Sequence, residues 1–258
     1  MASETKLRPL IKPTPQSMGQ LHPLTGDRIV QLWRDGRHMY WRDGDREGDK
    51  VSSVSGLVKH TDGDLFGAAS GYTIKVIKEH GGDLDAPGRL NKEAIDEGNR
   101  LHDAVDNFIM NRIVEEDNGL FLAWMKALGD RAWITSERIL HYPTTREHGI
   151  GYGGTLDALA LGPDGAVELW DWKTKAQESY ERNGGYLHEQ AQLGGYADLL
   201  KLMGSTYVPS VGYLAYVIRG DNPYVDVVKV DLAFASQLFW ASRACYLLKE
   251  QAKTRGSE

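Results

Sequence analysis

A mixed α/β (α+β) chain, a central sheet flanked by helices with a helical segment ahead of it, is predicted by three observations. The stretch "GRLNKEAIDEGNRLHDAVDNFIMNRIV" places Leu90, Ala94, Leu101, Val105, Phe108 and Ile109 at helical spacing. Downstream, "RAWITSERILHY", "GGTLDALAL", "VELWDWKTKA", "YVPSVGYLAYVIRG" and "YVDVVKVD" read as strands bounded by Gly, Pro and Asp. The order is helices, strands, one helix, two strands and a last helix, without internal repeat or low-complexity segment, which suits one sheet covered by helices.

Taken in order, residues 1–25 carry Pro9, Pro13, Pro15 and Pro23 with little periodicity and read as an extended leader. "IVQLW" and "HMYW", separated by "RDGR", form a hairpin, and "DGDREGD" is a loop. "SSVSGLVKH" opens a short helix capped by Ser52, Ser53 or Ser55. The long helix over about 88–114 follows, with His102 on its Val105 and Ile109 side and Gly98 thinning the face one turn earlier. "GLFLAWMKALG" is a helix ended at Gly129. Alternation in the next strand puts Trp133, Thr135, Glu137 and Ile139 on one face. "YLHEQAQLGGYADLLKLMG" is a helix stopped at Gly204, two strands turn around "GDNP", and a last helix runs over about 232–252. This divides the chain into a leader (1–25), a hairpin and helical segment contributing His102 (26–130), and a core (131–258).

The 258 residues, 41% of them hydrophobic, suffice for a substantial core. No run approaches the roughly 18 apolar residues needed to cross a bilayer, and "MASETKLRPLIKPTPQ" lacks the apolar region of a signal peptide, so the expected compartment is a cytoplasm. A single cysteine, Cys245, excludes an internal disulfide framework and an all-cysteine metal or iron-sulfur site. The net charge of −6 speaks against a protein that coats nucleic acid, yet a carboxylate-rich active site would account for it. A bound cation would then reverse the local sign.

Between two of the strands stands Pro163-Asp164-Gly165, suited to a three-residue hairpin loop with Gly165 in the left-handed region. If Gly162 pairs with Ala166, the register places Asp157 opposite Asp171. Period-two alternation then puts Lys173 on the same face and turns Trp170 and Trp172 away, against a helix. Like charges set opposite each other in a sheet are destabilising, so something positive belongs between them. Lys173 supplies one charge, and two aspartates bracketing a gap offer the hard oxygen ligands that Mg²⁺ or Mn²⁺ prefers. A cation held there polarises a phosphodiester, with a lysine orienting water or stabilising developing charge. The same residues also suit an ordinary strand-surface pair of Asp171 with Lys173, with Asp157 exposed and unrelated. Burial separates the two.

"GTLDAL" followed by "WDWKT" resembles the core of the PD-(D/E)xK nucleases, and specifically their RecB-like exonuclease branch. "QLGGY" matches that branch's Q-x-x-x-Y helix motif, and "EGNRLHDAVDNF" is similar to its helix with a metal-binding histidine. Four motifs stand in the family's order over about residues 97–200. The front end "HMYWRDGDREGDKVSSVSGLV" is similar to the mitochondrial genome maintenance exonuclease group and its viral relatives. The resemblance implies a restriction-endonuclease-like mixed sheet and Mg²⁺- or Mn²⁺-dependent hydrolysis of DNA in recombination, replication or repair. It implies metal ligation by His102, Asp157, Asp171 and the Trp172 carbonyl, with Lys173 catalytic alongside the two aspartates. Gln192 and Tyr196, one helical turn apart, would support the site or contact DNA. Glu137 is a candidate acidic partner.

Cys245 alone cannot hold the iron-sulfur cluster of some relatives, and no G-x-x-x-x-G-K-[ST] loop is present, so the expectation is a stand-alone nuclease. Its partners would be single-stranded or duplex DNA ends and recombination or replication proteins, with no membrane, in a bacterial or virus-infected host cytoplasm. Tyr180, Arg182 and Tyr186, in the glycine-bearing stretch "SYERNGGYLH", are placed to touch DNA. A structure-specific endonuclease uses the same core, and a catalytically silent DNA-binding or recombination-mediator module is the alternative of another class.

Overall fold

The computed structural model describes residues 29–34, 37–42, 50–60, 65–142 and 151–255. The leader (1–25) and the loop after the hairpin lie outside the described residues. Eight strands, β1 (Ile29–Arg34), β2 (Arg37–Arg42), β3 (Lys50–Ser53), β4 (Ala132–Tyr142), β5 (Tyr152–Leu161), β6 (Val167–Ala176), β7 (Val211–Arg219) and β8 (Tyr224–Val230), join in one sheet. Six of them, β3 to β8, make the mixed α/β layer, and the hairpin β1–β2 extends its β3 edge. Seven helices flank it: α1 (Val54–Leu57), α2 (Leu65–Glu79), α3 (Ala86–Asn111), α4 (Gly119–Leu128), α5 (Gln177–Asn183), α6 (Leu187–Leu202) and α7 (Leu232–Arg255). None is long and apolar enough to cross a membrane among the described residues.

β5 organises the site because its two edges differ. β4 lies antiparallel along the whole of one edge. The other edge is divided: β3 pairs in parallel at Tyr152 and Gly153, while β6 pairs antiparallel only from Ala158 to Leu161. Between them β5 and β6 diverge. The turn that sets their register is the expected one, with Gly162 N–H donating to the Ala166 carbonyl at 2.8 Å and Gly165 at φ 79°. The last ladder pair, Ala158 with Trp170, leaves Asp157 and Asp171 facing one another at the next position.

Two cores cover the sheet. On one face Leu156, Leu159, Leu169, Leu214 and Tyr216 meet Leu193, Tyr196 and Leu200 of α6 and Phe239 of α7. On the other, Ala158, Ala160, Trp170, Trp172, Ala215 and Val217 meet Leu101, Ala104, Val105 and Ile109 of α3 with Phe121 and Trp124 of α4. The tryptophans therefore pack against helices. Small residues in β5 and β7 make the room the indoles fill.

Four expectations need correction. Strict alternation fails in β5, where Leu156 and Leu159 share a core although they are three apart, while Ala158 and Ala160 face the other. It fails also in β4, where the register shifts between Trp133 and Thr135 and Glu137 takes φ 46°. α2 and β3 were not expected, and β3 is only four residues long. The glycine-bearing stretch 179–188, read as a loop in the sequence, is helical over its first part, within α5, which ends in Gly184 at φ 60°. The short helix at 54–57 is capped by Ser53, whose Oγ accepts from Gly56 N–H at 3.0 Å.

α6 and α7 approach so closely that a Cβ on Gly194 would collide with the backbone of Ala235 and Ser236. Rigid backbone cannot yield as a side-chain tip does. Gly194→Ala should therefore lower stability by about 2–3 kcal/mol through overpacking, less about 1 kcal/mol from alanine's better helix propensity. Thermal unfolding should show the melting temperature down by roughly 2–8 °C, and an unchanged value would mean the helices stand further apart.

Candidate metal and phosphodiester site

Three carboxylates form a row across β4, β5 and β6. Glu137 falls opposite Asp157, flanked by the pairs Ser136–Ala158 and Arg138–Leu156, and Asp157 falls opposite Asp171. Asp157 is 6% exposed and Asp171 0%, so neither belongs to a solvated strand surface. Taking Gly162–Ala166 as a hydrogen-bonded pair, alternation would next send the Trp172 N–H to the Leu156 carbonyl. Instead Trp172 N–H donates to Asp157 Oδ2 at 2.7 Å. A side chain thus stands in for the ladder where the strands part.

His102 of α3 closes the row on one side, its Nδ1 3.2 Å from Glu137 Oε1 and 3.8 Å from Asp157 Oδ1. These three residues offer ligand atoms within 4.8 Å of one another, a geometry that can hold a metal ion. α3 delivers His102 because Leu101, Ala104 and Val105 are buried on the sheet while Gly98 lies against Thr174 of β6, whose Oγ1 a Cβ there would meet at 3.2 Å.

On the other side Asp171 Oδ2 lies 2.6 Å from Lys173 Nζ. Among the described residues Asp171 Oδ1 has no hydrogen-bond donor, although it is fully buried. Lys173 Nζ also donates to Gln192 Oε1 at 3.2 Å, and Gln192 Nε2 donates to Tyr196 Oη at 3.0 Å. The structure thus links Asp171, Lys173, Gln192 and Tyr196 in one chain and groups His102, Glu137 and Asp157 in another. Asp171 is outside the second group, which takes Glu137 instead. At Trp172 the recorded contact is its N–H.

Tyr180 and Arg182 are engaged within the protein. Tyr180 Oη donates to Asp226 at 2.5 Å, and Arg182 pairs with Glu178 at 2.7 Å. Three neighbours of the site escaped sequence reading. Tyr40 of β2 is 2% exposed and shares a hydrogen bond with Thr155 Oγ1 at 2.9 Å, and no spacing rule connects it to a strand over a hundred residues away. Lys175 and the buried Glu189 pair at 2.7 Å. Their signal was present in the sequence, since Lys175 is two residues past Lys173 and Glu189 one turn before Gln192.

Burial raises the Asp171 carboxyl to about 7, against the pull of Lys173 and with the repulsion of Asp157. Asp157 is likewise raised by burial, against His102 and Lys173. Burial disfavours the His102 imidazolium, but Asp157 and the Glu137 hydrogen bond outweigh it and lift the ring to about 9. Burial also disfavours the Lys173 ammonium, which Asp171 and Asp157 hold above its ordinary value.

No family model and no curated protein matches the chain. Among solved structures it is distantly similar to SSO0001, with 15% identity over 74% of this chain and 73% of that one and a TM-score of 0.39. It is also distantly similar to LHK-Exo in complex with dAMP, with 13% identity over 79% of this chain and 94% of that one and a TM-score of 0.31.

The proton balance gives a test. Without metal, Asp171 contributes stability present below the ordinary 3.8 and lost as pH rises through about 7. His102, held above its ordinary 6.5, contributes stability present below that value and lost as pH rises through about 9. Both slopes have the same sign, so in chelator the melting temperature should fall steadily as the pH is raised across this window. Added Mn²⁺, which needs deprotonated ligands, should raise it by more the higher the pH. Asp171→Asn should flatten the acidic part of the slope. Scanning fluorimetry across pH with and without Mn²⁺ reads all three, and a melting temperature in chelator that rises toward alkaline pH would refute the assignment.

Proposed function

We propose that this chain is a divalent-metal-dependent deoxyribonuclease of the RecB-like kind, an exonuclease that hydrolyses phosphodiester bonds at DNA ends in recombination, replication or repair. The observation that carries the reading is Asp171, a fully buried carboxylate with one oxygen unpartnered among the described residues, set opposite Asp157 and 2.6 Å from a lysine. Buried polar atoms are almost always satisfied, and an unsatisfied acceptor beside other carboxylates suits a cation.

His102, Glu137 and Asp157, with Asp171 across the gap, are the residues that would hold Mg²⁺ or Mn²⁺, which supplies Lewis-acid polarisation of the phosphodiester and a more acidic attacking water. The protein's own groups divide the remaining work. Lys173 presents its ammonium where negative charge grows on the phosphoryl oxygens, and Asp171 and Gln192 fix its direction from two sides. Tyr196 holds the Gln192 amide with its carbonyl toward the lysine. Glu137 and Asp157 fix the His102 ring. The open stretch between β5 and β6 is where a phosphate can approach without breaking backbone pairing.

Purified protein incubated with end-labelled single-stranded, duplex and closed-circular DNA, with Mg²⁺, Mn²⁺ or chelator, should degrade linear DNA only, and only with metal. Asp157→Asn and Lys173→Ala should each lose about 100-fold or more in rate while keeping the wild-type circular dichroism spectrum. Cleavage of closed circles would turn the reading to a structure-specific endonuclease. DNA binding without cleavage under any metal would turn it to the silent module.

A further inference from the structure

The entrance to α6 holds an aromatic stack that neither core accounts for. Tyr186 lies over Lys175, with Nζ 4.0 Å from the ring centroid. His188 stacks with Tyr186, centroids 5.4 Å apart and rings inclined by 13°. Both rings are half-buried, and Leu187 between them is 45% exposed. Tyr186 is absent from the residues that pack on either core, so the stack is not an extension of the hydrophobic interior.

Its position relative to Lys173 is fixed from three directions. Lys175 follows Lys173 by two residues on β6, hence on the same face and about 7 Å further along. Tyr216 of β7 stands in register with Lys173, and Gly185 crosses directly above the Tyr216 hydroxyl, where a Cβ would clash. Glu189 then locks the segment, accepting Tyr186 N–H at 2.8 Å and Tyr216 Oη at 2.9 Å while pairing with Lys175 at 2.7 Å. Lys175 and His188 thus both meet the Tyr186 ring beside the strand that bears Lys173.

Resting on the nuclease reading above, we propose that Tyr186 and His188 form a nucleobase shelf, which stacks the base of the nucleotide beside the phosphate at Lys173 and so selects an unpaired strand. Flat rings near the strand that bears a phosphate-directed lysine match the chemistry of single-strand recognition, in which each base offers a π-face to an aromatic side chain. An imidazole covers one base, not a base pair, and in a duplex the face of an internal base is already taken by its neighbours. The ammonium under Tyr186, neutralised by Glu189, holds the stack upright without repelling or attracting the strand strongly.

The test is fluorescence anisotropy of labelled short single strands bound in Ca²⁺, intact or with one abasic tetrahydrofuran residue stepped through the terminal nucleotides, alongside a blunt duplex. The wild type should bind the strand with the abasic residue at one terminal position about 5- to 100-fold more weakly than the intact one, and the duplex more weakly still. His188→Ala should bind intact and abasic strands alike, His188→Phe should restore the preference, and Lys173→Ala should keep it. Equal binding of intact and abasic strands by the wild type, an undiminished preference in His188→Ala, or a blunt duplex bound as tightly as the single strand would overturn the shelf. DNA degradation by a wild type that ignores the abasic residue overturns the shelf and leaves the nuclease standing. A base preference without degradation does the reverse, and no binding at all overturns both.

Discussion

Three carboxylates in a row, two of them inside the protein, are held in the described chain against one ammonium and one imidazole. That imbalance is the constraint around which the surrounding structure is arranged. Burying an ionised carboxylate costs several kcal/mol unless charge and hydrogen bonds offset it. Here the offset is divided. Lys173 answers Asp171, His102 answers Glu137 and Asp157, and the Trp172 N–H answers the remaining Asp157 oxygen. One oxygen of Asp171 is left over. An acceptor left over beside other carboxylates suits a positive ligand, and the backbone around it keeps the acids apart.

Two features prevent collapse. The β5–β6 ladder stops one residue short of the acids, so their backbones are not drawn together by further pairing. The break in alternation between Leu156 and Ala158 and the left-handed backbone at Glu137 go with acids at one level whose flanking residues serve opposite cores. A regular sheet could not do this, because strict alternation would hand every second side chain to one face. Irregular backbone at this spot costs stability, and it persists because the cores on both faces are packed tightly with Leu, Ala and Trp.

What was legible in the sequence followed short-range rules. Pro163-Asp164-Gly165 gave the hairpin register through turn geometry, and with it the placing of Asp157 opposite Asp171. The spacing of Gln192 and Tyr196 gave their shared helix face. Where the reading failed, distant contacts decided. β3 is four residues long and pairs with β5 at only two positions, so its sequence carries no periodicity to detect. Residues 177–183 contain no apolar stripe and are helical beside Lys75 and Asp226, far away in the chain. Tyr40 belongs with Thr155 only because the hairpin extends the sheet. Glu137, a candidate acidic partner from the sequence, comes within reach of His102 and Asp157 at a left-handed backbone position of β4.

The charged members of the site arrive from four elements: His102 from α3, Glu137 from β4, Asp157 from β5, and Asp171 and Lys173 from β6. No local segment can assemble it. A cation that needs several of these groups therefore binds the folded chain and not its fragments, and its binding free energy adds to the stability of the whole fold. The converse also holds. Without such a ligand the buried carboxylates bear more of their desolvation cost.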